Sequence, residues 1–404
     1  MGMKKLLAIW MALVMLAPVT AMGDTPEEKG EENIPAWVIE EEVEMASAMG
    51  PGSSLPVKSA ILMVENTGEV LWEMDADQQL PPASITKIMS LLLIMEAIDN
   101  GSISLTDRVT CSENAAGYGG SEIWLKAGEE MTVDELVKAA AVASANDATV
   151  CLAEYVAGSE EAFVEKMNQR AQELGMKNTH FVCAAGLDHE GHLSTARDIA
   201  IMSRELLKHP TIKNYTTIWM DSLRGGATQL VNTTRLVRFY EGTTGLKTGT
   251  TDSAGSCLSA TAERDGLGLI AVVMGADTSD HRFAAARSLL DWGFANYKAQ
   301  PLEGPAGLTP VPVTRGVEPE VPVSFDLPGT IVIPRDKAES ISQQVELADS
   351  VEAPVTAGQE LGSVKVQVDG KTVLTYPLVA SQAVERMTLS RAFKALLRAL
   401  LAAS

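Results

Sequence analysis

The chain has 404 residues, too many for one ordinary hydrophobic core, so two or three domains are expected. Its 53 acidic residues against 32 basic ones give a formal charge of -21, which argues against a nucleic-acid partner, because neutralising phosphates needs a basic face. A hydrophobic content of 46% marks a globular chain.

Lys4 and Lys5 precede an apolar run from Leu6 to Val19, and small residues follow in Val19-Thr20-Ala21. This is the pattern of a cleaved secretory signal over residues 1–21, too short for a membrane span; an uncleaved anchor is the alternative. Both place the working part outside the cytoplasm. Residues 22–54, rich in Glu with Pro and Gly interspersed, read as a flexible acidic lead-in.

The next segment, 55–298, opens with a predicted hairpin: Ala60 to Val64 and Val70 to Trp72 flank the turn signal Asn66-Thr67-Gly68. Pro81-Pro82 breaks the chain. A helix is then expected from Ser84 to about Ile98, apolar on nearly every side and so buried, ended by Asp99-Asn100-Gly101. It begins with Ser84-Ile85-Thr86-Lys87, the one place where a lysine follows a serine by three positions. One helical turn puts the amine within reach of the hydroxyl, the geometry of a nucleophile with its own base. Alone, such a pair is more often solvated helix surface.

More helix signals follow. Thr132 and Glu135 form a capping box ahead of Val133 to Val142, Ser159 starts a helix closed by Gly175, and Thr195 with Asp198 starts another that Pro210 stops. Leu258 to Ala262 and Leu267 to Met274 form a hairpin around Arg264-Asp265-Gly266, and Arg282 to Tyr297 reads as a last helix. Strands at both ends with helices between them predict an α+β domain, an antiparallel sheet flanked by helices. Residues 299–380 are rich in Pro, Gly and short β-branched runs, with the turn Asp369-Gly370, and are expected to form a small all-β domain.

Residues 381–404 are expected to be an amphipathic helix. Leu389, Ala392, Phe393, Leu396, Leu397, Leu400 and Leu401 line one face, with Arg386, Arg391, Lys394 and Arg398 opposite. This pattern fits an interfacial membrane anchor; docking on the protein itself is the alternative. The four cysteines, Cys111, Cys151, Cys183 and Cys257, leave three pairings open and contain no CxxC, while Cys151 and Cys257 sit in apolar runs as small hydrophobes do. With no HExxH and no G-x-S-x-G either, neither a metal nor another cofactor is expected.

Two later motifs answer the first: Ser144-Ala145-Asn146 at a junction between helices, and Lys247-Thr248-Gly249 after a Gly-rich turn. Ser-x-x-Lys, Ser-x-Asn and Lys-Thr-Gly in that order are a recognised acyl-transfer set. Each part has a physical role. Neutral Lys87 takes the Ser84 proton, provided burial and a nearby Lys247 lower its pKa. Ser144 relays a proton to the leaving amine, and Asn146 holds a substrate amide. Lys247 and Thr248 meet a terminal carboxylate, while Gly249 lets the substrate backbone approach. Arg282 is a second carboxylate clamp or a surface arginine.

With these motifs the chain, from about Ile34 onwards, resembles the low-molecular-mass penicillin-binding proteins that act as serine-type D-alanyl-D-alanine carboxypeptidases. Phe181, Gly186-Leu187-Asp188, Glu190-Gly191-His192 and Ser194 to Asp198 are similar to a family segment between the second and third motifs. Ala353-Pro354-Val355, Gly358-Gln359 and Asp369-Gly370-Lys371 are similar to the family's C-terminal domain. Ala145, Cys183-Ala184 and Thr250 depart from its usual residues. The resemblance implies a penicillin-binding/β-lactamase-like transpeptidase domain, an acyl-enzyme on Ser84, and an oxyanion hole from the backbone N–H groups of Ser84 and Thr250. It also implies β-lactam antibiotics and the peptidoglycan stem peptide ending in D-Ala-D-Ala as ligands, and attachment to the outer face of the cytoplasmic membrane. The rivals are a β-lactamase, against which stands the lack of a Glu-x-x-Leu-Asn segment between Asn146 and Lys247, and a non-enzymatic wall-binding scaffold.

Overall fold

Strand β1 (Ser59–Val64) is buried at every position, because its sheet is covered by helices on both faces. The computed structural model describes residues 55–327 and 329–402, so the expected signal over 1–21 and the acidic lead-in over 22–54 lie outside the described residues. With β1, the strands β2 (Val70–Met74), β3 (Thr243–Thr251), β4 (Gly255–Arg264) and β5 (Leu267–Ala276) form an antiparallel sheet in the order β2-β1-β5-β4-β3. Strand β3 therefore lies at an edge.

Side chains alternate between the faces along each strand. Ala60, Leu62 and Val64 join Leu258, Ala260 and Leu269 under the helix that carries Leu289, Leu290 and Phe294. Ile61 and Met63 join Ile270 and Val272 against Ile88, Leu92 and Met95. Each of these side chains except the two alanines contributes roughly 1.5–3 kcal/mol of apolar burial.

Helix α1 (Lys87–Asp99) runs through the middle of the second core. The sequence places its start at Ser84, whereas the structure has Ala83–Thr86 as a separate 3-10 turn with α1 beginning at Lys87. Pro81-Pro82 and a left-handed Ala83 (φ 50) set that turn, which is closed by the Ile85 N–H donating to the Pro82 carbonyl at 3.2 Å. In a 3-10 turn residues three apart eclipse, so the Ser84–Lys87 spacing keeps its meaning.

Helices α2 (Val133–Val142), α3 (Asn146–Ala157), α4 (Glu160–Glu173) and α5 (Ala196–Leu207) complete this side. Thr132 and Glu135 make the expected capping box, and Ser159 and Thr195 cap α4 and α5. Helix α6 (Ser279–Asn296) starts three residues before Arg282, because the Thr278 hydroxyl accepts from the His281 N–H and caps it there.

The C-terminal domain is all-β, with two small cores around Val364, Val366 and Leu378 and around Val311, Val321 and Val355. Its long hairpin, Glu360–Val368 with Lys371–Ala380, turns at Asp369 (φ 54) and Gly370 (φ 75), the left-handed pair that such a two-residue turn needs.

The terminal helix is shorter than the sequence suggests. It is α7 (Leu389–Ala402), and residues 383–388 are extended. Val384 bridges to Val355, Arg386 bridges to Gly316 and pairs with Glu352 at 3.1 Å, and the Thr388 hydroxyl accepts from the Arg391 N–H to start the helix. Arg386 thus belongs to the β-domain surface and not to the helix's basic face, while Arg391 pairs with Glu385.

Candidate active site

The Ser84 turn and the start of α1 bring a hydroxyl beside an amine that is 0% exposed. The Lys87 Nζ lies 3.0 Å from Ser84 Oγ, 2.6 Å from Asn146 Oδ1 and 2.7 Å from the Ala185 carbonyl oxygen. Burial depresses the Lys87 pKa to about 7, with the Asp147 carboxylate opposing that effect. A neutral amine has two N–H donors and one lone pair. With Asn146 and Ala185 accepting the two hydrogens, the lone pair is left for the Ser84 hydroxyl proton.

Asn146 and Ser144 come from the junction of α2 and α3. Asn146 opens α3, and its Nδ2 donates to the Gly119 carbonyl at 2.6 Å, so both ends of its amide are engaged. Ser144 holds a left-handed conformation (φ 60) between the helices. Among the described residues no hydrogen bond joins it to Ser84 or Lys87, so the hydroxyl that the sequence offers as a proton relay closes no chain with the pair.

The third motif lies on edge strand β3. Lys247 is 1% exposed, and its amine donates to the Thr248 carbonyl at 3.0 Å. Burial holds its pKa well below the usual lysine value, and the charges of Lys87 and Arg282 push the same way. Thr248 Oγ1 donates to Thr233 Oγ1 at 2.7 Å, which makes Thr233 a neighbour of the site that no sequence pattern singled out. Among the described residues neither Lys87 nor Lys247 has a carboxylate as a hydrogen-bond partner.

Gly249 has a different local reason from the one expected. A Cβ there would lie 2.8 Å from the Pro82 carbonyl oxygen and 3.0 Å from the Ile85 nitrogen, so the missing side chain lets β3 press against the Ser84 turn. Arg282 is not a surface arginine, being 8% exposed. Its Nη1 donates to the Gly249 carbonyl at 3.0 Å and to Thr250 Oγ1 at 2.7 Å, and Nη2 donates to Ser279 Oγ at 3.2 Å. This guanidinium braces the end of β3.

The segment between the second and third motifs supplies the floor. Gly186 (φ 83) sits where a Cβ would meet the Ala83 carbonyl oxygen at 2.0 Å, and the neighbouring Ala185 carbonyl faces Lys87. His192 Nδ1 accepts from the Val182 N–H at 2.9 Å, so its Nε2 carries the proton and donates to Thr86 Oγ1 at 2.8 Å. Asp188 accepts from the Thr251 hydroxyl at 2.7 Å and ties this segment to β3. Backbone partners such as Ala185 and Gly119 carry no side-chain signal, so sequence alone had no means of finding them. The four cysteines are free and buried, and among the described residues no group of three His, Cys, Asp or Glu is arranged to hold a metal ion.

Residues 45–278 match the family model described as D-alanyl-D-alanine carboxypeptidase, and residues 305–386 match that of the penicillin-binding protein 5 C-terminal domain. The chain is 43% identical over 330 residues to the D-alanyl-D-alanine carboxypeptidase DacF of Bacillus subtilis, covering 80% of this chain and 85% of that one. Penicillin-binding protein 5 of Haemophilus influenzae superposes with a TM-score of 0.75 at 31% identity, covering 82% of this chain and 98% of that one. Penicillin-binding protein D2 of Listeria monocytogenes, solved in an ampicillin-bound form, superposes with a TM-score of 0.55 at 33% identity, covering 60% of this chain and 100% of that one.

Proposed function

The chain belongs to the D-alanyl-D-alanine carboxypeptidase family of penicillin-binding proteins, and from that premise we propose how its residues divide the work. It is a serine-type D-Ala-D-Ala carboxypeptidase. The substrate's terminal carboxylate enters against Lys247 and the Thr248 hydroxyl, where a buried amine without a carboxylate partner gains its counter-charge from the incoming anion and is favoured as the ammonium by it. Ser84 Oγ attacks the penultimate D-alanine carbonyl while its proton passes to the Lys87 lone pair, and the carbonyl oxygen takes up negative charge facing the backbone N–H groups of Ser84 and Thr250. Collapse breaks the C–N bond, and the leaving D-alanine amine receives a proton from Lys87 through the Ser144 hydroxyl. Water then hydrolyses the Ser84 ester. A β-lactam enters by the same first step and stays as the acyl-enzyme.

The single observation that carries this reading is the Lys87 amine with two acceptors on its hydrogens and Ser84 Oγ at 3.0 Å. The test is release of D-alanine from a diacylated tripeptide ending in D-Ala-D-Ala, together with labelling by fluorescent penicillin. Wild type should do both and Ser84→Ala neither, with turnover down on the order of a million-fold. Equal labelling of the two proteins would remove Ser84 from the mechanism.

The same reading puts the enzyme on the outer face of the cytoplasmic membrane, exported by the signal over residues 1–21 and held by α7. What supports this is the exposure of Leu389 and Phe393, four residues apart on one side of α7, with Lys394 exposed beside them. Among the described residues no helix is long and apolar enough to cross a membrane. Flotation with anionic vesicles should carry the mature full-length chain and not one ending at Met387; equal flotation of both would sink the anchor.

A further inference from the structure

Trp124 is a bulky residue held in the left-handed conformation (φ 55) with its side chain 73% exposed. A tryptophan pays for such a backbone in steric strain, which persists only where neighbouring contacts over-determine it. Here they do. The N–H groups on either side of it, those of Ile123 and Leu125, donate to the buried Asp147 carboxylate at 3.1 and 2.9 Å. The Ile123 carbonyl accepts from Arg224 Nη1 at 2.8 Å, and Arg224 is itself left-handed (φ 53). Three hydrogen bonds thus fix the main chain while the indole points away from the core.

This pinned segment is part of the catalytic wall. Asp147 follows Asn146 in α3, the Asn146 N–H donates to the Ser121 carbonyl at 2.6 Å, and its Nδ2 donates to the Gly119 carbonyl. From Gly119 to Trp124 the chain spans at most about 17 Å, the length of an extended pentapeptide. Trp124 also lines a surface hollow of about 580 Å3 with Lys126, Thr228 and Arg224, whose Nη2 is buried without a hydrogen-bond partner. A hollow of that size takes a small ligand. Its equipment is an aromatic face with the Lys126 amine, the Thr228 hydroxyl and the Glu129 carboxylate, the last held by Arg224 Nε at 2.7 Å, a mix of donors and acceptors suited to a pyranose ring: polarised C–H groups meet the negative face of the indole, and hydroxyl and N-acetyl groups meet the polar side chains.

We propose that Trp124 and the hollow beside it form a saccharide subsite that receives the amino-sugar end of the wall substrate while its D-Ala-D-Ala end lies at Ser84. This rests on the carboxypeptidase reading, since the stem peptide is carried on a glycan strand. The subsite makes the enzyme select sugar-linked pentapeptide over the free peptide.

Two measurements test it. In the Ser84→Ala protein, titration calorimetry gives the Kd of a disaccharide-pentapeptide and of the same pentapeptide without sugar; the sugar should tighten binding about tenfold, and adding Trp124→Ala should abolish the difference. In the hydrolysis assay the ratio of kcat/KM for the two substrates should fall about tenfold in Trp124→Ala and far less in Trp124→Phe. Trp124→Gly relieves the left-handed strain, so its Tm should match or exceed that of wild type while the ratio falls. A sugar-independent Kd, or an equal loss on both substrates together with a lowered Tm in Trp124→Gly, overturns the subsite. Sugar-dependent binding without D-alanine release by wild type would overturn the carboxypeptidase reading and leave the subsite standing.

Discussion

The Lys87 amine lies 2.6 Å from the Asn146 side-chain oxygen, across 59 residues of sequence and inside a fully buried pocket. A hydrogen bond this short binds the amine in either protonation state, so Asn146 orients Lys87 without neutralising it. That distinction leads to two predictions.

The first concerns pH. Burial brings the Lys87 pKa to about 7 from 10.5, and only the neutral amine accepts the Ser84 proton. Below about pH 7 the neutral fraction falls tenfold per unit, so the second-order rate of acylation by penicillin should rise tenfold per pH unit up to that point and then level. Stopped-flow labelling from pH 5 to 9 measures it. A flat profile across this range would mean that another group takes the proton.

The second exchanges the neutral partner for a charged one. Asn146→Asp places a carboxylate beside Lys87, and an opposite charge at this distance raises a pKa by about 1–3 units. The acid limb of the acylation profile should move up by that amount, with activity lost at pH 7 and partly regained near pH 9. Asn146→Ala should lose rate without the upward move. If both variants shift alike, the amide acts through substrate binding and not through Lys87.

The third concerns Gly249. An added Cβ meets the Pro82 carbonyl oxygen at 2.8 Å, backbone that cannot swing aside, so Gly249→Ala must lift β3 off the Ser84 turn. Overpacking of this kind costs about 1–3 kcal/mol of stability. A displacement of about 1 Å between reacting groups costs on the order of a hundredfold in rate. Acylation should therefore fall much more than Tm does. A near-normal rate would show that β3 and the turn move together.

How much of this was readable in advance depends on what kind of group does the work. The sheet, its flanking helices and the all-β domain followed from apolar periodicity, caps and turn residues, because side-chain patterning dictates them. Ser84, Lys87, Asn146 and Lys247 were readable because three motifs stand in a fixed order. The Ala185 and Gly119 carbonyls were not, since every residue carries a carbonyl and only the fold selects one. Arg282 was ambiguous for a related reason: a helix start puts arginines in solvent or in the core with equal ease, and its burial depends on β3, 32 residues earlier. Arg386 was assigned to the helix by its spacing, but strand-like bridges to Val355 and Gly316 hold its segment extended. Periodicity does not register such tertiary competition.

The last prediction concerns His192, which holds the catalytic turn from below. Its Nε2–H donates to Thr86, inside the Ser84-to-Lys87 segment, and its Nδ1 accepts from the Val182 N–H. Protonation would put a hydrogen on Nδ1 facing that N–H, and burial, with His189 and His180 nearby adding to it, disfavours the cation and brings the pKa to about 4 from 6.5. Between these values the unfolded chain binds the proton and the folded chain does not. Stability therefore rises with pH through that window, is complete above 6.5, and loses up to about 3 kcal/mol at pH 4. Many carboxylates titrate over the same range, so the informative quantity is a difference between proteins. Urea unfolding at pH 7.5 and 4.5 should show His192→Asn less stable than wild type at the higher pH but less sensitive to acid, with the two curves converging as pH falls. Penicillin labelling should follow, because Thr86 sits between Ser84 and Lys87 and loses its anchor in both cases. Parallel pH dependences for the two proteins would mean that His192 is protonated in the folded state without penalty, and that the turn is held by Gly186 and β3 alone.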